Sequence, residues 1–199
     1  PEGAESPALR LAAVAYPSDG THFEELQRAL ARRLGQEVRS LARTLERESR
    51  SFAESGRRLL RDAGPVPPRL PEQALRFVLE ELRRRAHERG LLYLAPGVEL
   101  RAPALDELGK LRGRPLRTDI TLLSDDDAHA VLGIPVTCTP SHRLGTRAPF
   151  LVYLGEASAY AYLRAREGDD APFFHTADRV LVEHLAFQLQ RDLGRTGVA

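Results

Sequence analysis

Cys138 and His142 stand four residues apart and are the first pair in this chain that could do covalent chemistry, as a thiolate and its base. Such a nucleophile needs a group that orients the base and an oxyanion site that receives the developing charge. The sequence near the pair supplies neither. We therefore expect Cys138 to be a buried structural thiol. A cryptic Cys-dependent enzyme remains an open alternative.

An acidic run offers the ligand types that a hard cation or zinc would use. It consists of Asp125–Asp127 followed by His129. The run lacks the glycine and the distant glutamate of a calcium loop, and no second ligand pair follows at zinc-site spacing. His175 and His184 belong to no H-E-x-x-H motif, and the glycines form no phosphate-binding loop. We expect a solvated turn here, with no metal site, no cofactor and no catalytic residue.

Two tyrosines and two arginines alternate along one short segment and form the candidate ligand-binding site. Tyr160, Tyr162, Arg164 and Arg166 would share one face of a β-strand. Aromatic rings and guanidinium groups on one face could stack on an anionic ring ligand and pair with its charge. The same face could instead pack under a helix or contact another protein, and we expect one of these uses.

The segment that carries these side chains predicts a β-hairpin. Residues 150–154 read FLVYL, which is typical of a buried strand, and Gly155-Glu156 form a turn. Residues 157–166 alternate strictly between small or apolar and aromatic or basic side chains, which favours a second strand. Because alanine is a poor strand former, a helix over 157–166 stays open. Further strands are predicted at 9–16, 91–94 and 116–123, and a short extended segment interrupted by Pro135 at 131–138.

A long apolar stripe precedes this part of the chain. From Phe23 to Leu59 the apolar residues recur every 3.6 residues on average, which predicts helix over 22–62, either as one helix or as two in series. Arginine and glutamate alternate around the stripe, as on a solvated face. We expect this segment to hold a homodimer together. The competing arrangement folds the stripe back onto the sheet of its own chain.

A proline-rich stretch, residues 64–71, divides the chain into an N-terminal segment, 1–65, and a second unit, 66–199. Pro71 suits the first turn of a new helix that Gly90 would end, with an apolar face on Leu75, Val78, Leu79 and Leu82. A short helix is predicted over 103–113, and acidic and polar loops over 124–129 and 168–172. The last helix would be capped by Thr176, would bury Val182, Leu185 and Leu189, and would stop at Gly194.

Composition narrows the class of protein. The 199 residues suffice for one substantial domain, or one domain with a long appendage. Basic and acidic residues number 29 and 28, so the net charge of +1 argues against a nucleic-acid partner. One cysteine excludes an internal disulfide and favours a reducing compartment. The sequence offers no membrane-spanning stretch and no secretion signal, so we expect a cytoplasmic protein with no membrane partner.

Two stretches resemble a known family. The run FLVYLGEASAYAYLRARE, residues 150–167, is similar to the hairpin of the DICT sensory domain, and APFFHTADRVLVEHLAFQLQRDL, residues 171–193, is similar to the family's approach to its final helix. The family often has tryptophan before the hairpin, where this chain has Pro149-Phe150. DICT domains occur in bacterial and archaeal signalling proteins, beside diguanylate cyclase and two-component modules. The resemblance covers about 120 residues and implies a sensory role, with no catalytic residue to carry over.

The patterns together predict an α/β (α+β) fold, in which a mainly antiparallel or mixed sheet is flanked by helices and preceded by a long helical segment. The expected function is that of a non-enzymatic sensory or regulatory domain of a bacterial signalling protein. It would act through protein contacts with other signalling domains and through sensing of a small ligand. A GAF-like domain with a true small-molecule pocket is the alternative.

Overall fold

The computed structural model describes residues 14, 23–65, 69–124, 134–168 and 170–194, with the backbone alone at 23, 24 and 34–40. Two predicted elements lie outside these ranges. They are the strand at 9–16, apart from residue 14, and the acidic run at 125–129 with its four candidate ligands. Everything stated below concerns the described residues.

Six strands form one mixed sheet, which confirms the predicted fold class. In space the order is β3-β2-β1-β4-β5-β6. The strands β1, β2 and β3 are parallel to one another, and β4, β5 and β6 each run antiparallel to the strand before them in that order. Their bounds are β1 Gly90–Ala95, β2 Thr118–Leu123, β3 Val136–Thr139, β4 Phe150–Gly155, β5 Ala159–Arg164 and β6 Phe173–Thr176.

Helices cover both faces of this sheet, so that two hydrophobic cores lie on either side of it. The helices are α1 Phe23–Glu48, α2 Phe52–Arg61, α3 Leu70–Arg84, α4 Arg101–Gly109 and α5 Arg179–Asp192, with a 3-10 turn at Ser141–Leu144. One core joins α3 and α4 to the sheet. The other joins α2, α5 and the C-terminal end of α1 to the opposite face. Helix α2 therefore shares a core with β4 and β5.

The hairpin of β4 and β5 forms as predicted, and the helical alternative over 157–166 is wrong. Ala161 pairs with Val152 and is completely buried. It belongs to the core that contains α2 and α5. A small side chain lets these helices pack closely on the strand, so tertiary packing outweighs the weak strand preference of alanine.

The long N-terminal stripe folds as two helices in series, which answers the question that the sequence left open. Helix α1 ends at Glu48, and Ser51 then begins α2 by accepting a hydrogen bond from the Glu54 amide at 3.2 Å. The amide of Phe52 donates to Asp192 Oδ2 at 2.7 Å. A local cap and a distant carboxylate thus satisfy the first amides of α2, which favours a break at this point.

The strand β6 was not predicted, and the predicted cap of the last helix is wrong. Thr176 ends β6, and Asp178 caps α5 by accepting a hydrogen bond from the Leu181 amide at 3.1 Å. Thr176 instead accepts from the Asp178 amide at 3.0 Å. A four-residue strand after a polar loop gives too short a pattern to detect. Its Phe173 amide donates to the Gly64 carbonyl at 2.9 Å, so Gly64 lies at this sheet edge.

The buried faces of α3 and α5 and the stop of α5 at Gly194 agree with the sequence, whereas the C-terminal end of α3 differs. The predicted apolar residues of α3 and α5 are all buried. Helix α3 ends at Arg84, and Gly90 begins β1, so the prediction that Gly90 ends the helix is wrong. The residue that follows the cap of α5, Gly194, has a φ of 71°. No helix in the described ranges has the length and apolarity needed to cross a membrane.

Candidate functional site

A cleft opens where the parallel strands end, at the edge of the sheet where α/β proteins commonly bind ligands. We call its first part the polar lobe. It has a volume of about 360 Å³ and is formed by the segments that follow β1, β2 and β3. Its polar lining side chains are Arg101, Ser124, Ser141, Thr146, Arg147 and Glu167.

Two glutamates join chain segments that border the polar lobe. Arg164 Nη1 donates to Glu99 Oε2 at 2.8 Å, and the Gly168 amide donates to Glu99 Oε1 at 3.0 Å. The amide of Val98 donates to Glu167 Oε1. These carboxylates connect the segment after β1 to the segment after β5, so the lobe has a fixed shape.

The second part of the cleft, the apolar lobe, lies between α2 and the adjoining ends of β4 and β5. Its volume is about 430 Å³, within the range of small-molecule pockets. The Phe52 and Phe150 rings lie 4.6 Å apart, inclined by 56°. A Cβ at Gly56 would lie 3.2 Å from Leu163 Cδ2, so the bare backbone lets α2 approach the sheet. The apolar lining side chains are Phe52, Ala53, Leu60, Ala148, Pro149, Phe150, Leu163 and Ala165.

Two arginines stand at the apolar lobe without acidic partners. Arg57 and Arg61 line it from positions one helical turn apart on α2, and both are exposed. The Arg57 Nε donates to the Ala53 carbonyl at 3.4 Å. Neither guanidinium forms an ion pair with any described residue. The apolar lobe is therefore positively charged at its helical side.

The two lobes share a wall. Thr146, Ala148 and Phe150 line both. This wall is held in shape by a hydrogen bond from the Ala148 amide to Thr146 Oγ1 at 3.1 Å. We call the two lobes together the two-lobed cleft. It offers an apolar space, two guanidinium groups and a polar extension.

A third cavity lies at the opposite end of the sheet and is a weaker candidate. It is an open depression of about 750 Å³, lined by Arg89, Arg117 and Arg179 together with Asp119 and Glu156. Arg179 Nη2 is already used in donating to the carbonyls of Gly155 at 2.7 Å and Glu156 at 2.8 Å. Two carboxylates offset most of the remaining positive charge, so the depression lacks a clear electrostatic preference.

The four residues predicted to share a ligand-binding face differ in their burial and in their partners. Tyr162 is fully buried and stacks on Phe173 at 5.7 Å, and burial raises the pKa of its phenol. Tyr160 is partly buried, with its hydroxyl 3.5 Å from His175 Nδ1. Arg164 is buried against Glu99, whereas Arg166 is exposed and pairs with Asp170. None of the four lines either lobe of the cleft.

Among the described residues, the other candidates for chemistry do not line the cleft. Cys138 is only partly buried, where the sequence predicted a buried thiol, and it packs beside the core formed with α3 and α4. His142 is exposed in the 3-10 turn. His184 is half-buried in α5, and burial lowers the pKa of its imidazole. Within the described ranges, no three histidine, cysteine or acidic side chains are grouped so as to hold a metal ion.

Several residues of the cleft were missed by reasoning from the sequence. Arg57 and Arg61 have a detectable signal, since two arginines four residues apart share a helix face, but the same spacing is typical of a solvated surface. Glu99 and Glu167 have no local signal, because their partners lie more than 60 residues away.

Comparisons with known protein families, with curated proteins and with solved structures give no match for this chain.

Proposed function

We propose that this chain is a non-enzymatic sensory or regulatory domain that binds a small molecule in the two-lobed cleft. The observation that carries the proposal is the apolar lobe between α2 and the sheet, a defined space with charged groups on one side. A ligand-binding pocket is what the GAF-like alternative requires, and a sensory role is what the resemblance to DICT domains implies. The two-lobed cleft would serve both as the ligand pocket and as the sensory site.

Helix α2 is suited to report on the occupancy of the apolar lobe, because it forms one wall of the lobe and is joined to the other N-terminal helix. The Gln188 side chain donates to the Ser49 carbonyl at 3.4 Å, and Arg191 donates to the Arg50 carbonyl. With the bond from Phe52 to Asp192, these contacts tie the α1–α2 junction to the end of α5. A shift of α2 would change these contacts.

We propose that the domain signals through self-association of α1, as predicted from the sequence. Helix α1 has 26 residues and so spans about 39 Å, whereas α5 has 14 and spans about 21 Å. The contacts of Ser49 and Arg50 place the C-terminal ends of both helices together. Leu41, Ala42 and Leu45 of α1 belong to the core beside α5, and Ala29 is also buried. The apolar stripe before Leu41, which includes Leu26 and Leu30, would contact the second copy.

Partners and location remain part of the same proposal. The domain would work in the cytoplasm, beside other signalling domains, with no nucleic-acid or membrane partner. The nearly balanced charge and the single cysteine support this assignment.

Hydrogen exchange on the full chain tests the sensory mechanism. The probe is 8-anilinonaphthalene-1-sulfonate, an apolar organic anion whose fluorescence reports its binding. We expect bound probe to slow amide exchange in α2 and also at the α1–α2 junction, residues 45–52, and we expect Ala53→Phe to abolish both effects by filling the apolar lobe. Saturable binding that protects α2 alone would contradict a sensory role.

Light scattering tests the proposed output. We expect the full chain to be a dimer at micromolar concentration and Leu26→Glu/Leu30→Glu to be a monomer, because both positions lie on the apolar stripe of α1 before the part that joins the core. The matched control is Gln27→Glu/Ala31→Glu, which adds the same charge at exposed positions of the same helix. A monomeric wild-type chain would contradict self-association.

A further inference from the structure

We propose that the ligand of the apolar lobe is an organic anion with an apolar body, its charged group held by Arg57 and Arg61. This inference rests on the proposed function, since it names the chemical class that the same cleft would bind. The two arginines of α2 would give specificity for the anionic group. The aromatic and aliphatic lining would give affinity for the apolar body.

The lining of the lobe argues for an apolar body. Phe52, Phe150 and Leu163 belong to the hydrophobic core and are almost fully buried, and they form the walls together with Ala53 and Leu60. Each methylene group that a ligand moves from water into such a space favours binding about fourfold. Among the described lining residues, the side chains that carry hydrogen-bonding groups are those of Thr146, Arg57 and Arg61.

The charge of the lobe argues for an anionic group. The described residues of its lining include two guanidinium groups and no carboxylate. Residues four apart on a helix project from the same side, so Arg57 and Arg61 can approach one carboxylate, sulfonate or phosphate together. The depression at the other end of the sheet differs in this respect, because Asp119 and Glu156 lie among its arginines.

A free amphiphile and an anionic lipid both combine an anionic group with an apolar body. The lobe favours the free molecule, because a cavity of about 430 Å³ bounded by α2 on one side and the sheet on the other has room for a short chain or a ring. The experiment therefore includes phosphatidylglycerol vesicles, which present the anionic group on a lipid.

Calorimetric titration of the full chain with octanoate tests the inference, and octan-1-ol serves as the uncharged ligand of equal chain length. We expect saturable octanoate binding that is weakened about tenfold in Arg57→Gln/Arg61→Gln, with octan-1-ol binding unchanged. The matched control is Arg76→Gln/Arg84→Gln on α3, which removes the same charge from a helix on the other face of the sheet and should bind octanoate as the wild type does. Ala53→Phe should abolish binding of both compounds.

Three outcomes would overturn the inference. They are octan-1-ol binding as tightly as octanoate, equal weakening of octanoate in both arginine double variants, and sedimentation with phosphatidylglycerol vesicles without octanoate binding. Failure here is distinct from failure of the proposed function. Protection of residues 45–52 by the fluorescent probe with no preference for the charged ligand would refute only the ligand class. Octanoate binding that depends on both arginines, without that protection, would refute only the sensory mechanism.

Discussion

Arg164 donates to Glu99 across 2.8 Å, and the two side chains differ sharply in burial, with 4% of the arginine and 45% of the glutamate exposed. The Arg164 guanidinium is thus a buried charge, and its partner Glu99 lies at the surface. The pair fixes the end of β5 to the segment that precedes α4. A buried charge is costly when it loses its partner, so the pair should respond asymmetrically to substitution.

We expect Glu99→Gln to lower the free energy of unfolding by about 3 kcal/mol, since Arg164 would remain buried without a carboxylate. The double variant Glu99→Gln/Arg164→Met should recover most of the loss, because it removes the buried charge. Urea unfolding measures both. Asp170→Asn, which breaks the exposed pair with Arg166, is the control and should leave the unfolding midpoint unchanged. A double variant as unstable as Glu99→Gln would refute this account.

Gly97 should tolerate substitution less well than another glycine of similar backbone conformation. Its φ is 69°, and a Cβ would lie 2.5 Å from Glu167 Oε1. Gly145 has a φ of 63° with no atom within 4 Å of a Cβ. Both alanine variants bear left-handed strain of about 1 kcal/mol. Gly97→Ala should cost about 1 kcal/mol more, because Glu167 must release the Val98 amide. Equal losses in thermal or urea unfolding would exclude the carboxylate contact as the cause.

The Tyr162 hydroxyl has no hydrogen-bond partner among the described residues, although it is buried. We expect Tyr162→Phe to be as stable as the wild type or about 1 kcal/mol more stable, since it removes a desolvated polar group. Tyr162→Ala should lose about 3–5 kcal/mol through the cavity that it leaves beside Phe173. Urea unfolding compares the two. A loss above about 1 kcal/mol in Tyr162→Phe would mean that the hydroxyl contributes to the fold.

Protonation of His184 should lower stability in mild acid. Burial lowers the pKa of this imidazole, Glu46 opposes the shift and Arg191 adds to it. Because the folded pKa lies below the unfolded value of about 6.5, the unfolded chain takes up the proton first. The contribution is complete above about pH 6.5 and is lost as the pH falls through the folded pKa. Urea unfolding at about pH 7.5 and 5.5 should show this loss, and His184→Gln should reduce it. An unchanged difference in the variant would exclude His184 as its source.

Most elements from residue 70 onward could be predicted, because they have complete local patterns. The alternation in 157–166 and the apolar spacing of α3 each span enough residues to fix the type of element. The short strand β6 has only four residues, and a missed strand shifted the predicted helix cap from Asp178 to Thr176. Sequence patterns also do not show how helices pack on a strand. That packing is what places the weak strand former Ala161 in β5.

The candidate site could not be predicted in the same way, because its residues meet only through the fold. The predicted ligand face depended on the period of two in β5, which is correct, but periodicity does not say what covers that face. Tyr162 is covered by core residues that include Phe173, and Arg164 is neutralised by Glu99 from another segment. The apolar lobe likewise depends on Gly56 and Leu163, which are more than 100 residues apart and have no shared pattern.

The bond between Phe52 and Asp192 spans 140 residues of chain, which has a consequence for the order of folding. Contacts between residues close in sequence, such as the turn between β4 and β5, form with little loss of chain entropy, whereas this contact closes a very long loop. The α1–α2 junction should therefore dock after the sheet has formed and be absent from the transition state. Asp192→Asn would then accelerate unfolding and leave the refolding rate nearly unchanged. The part of the molecule assigned to signalling would be the last to assemble and the easiest to release.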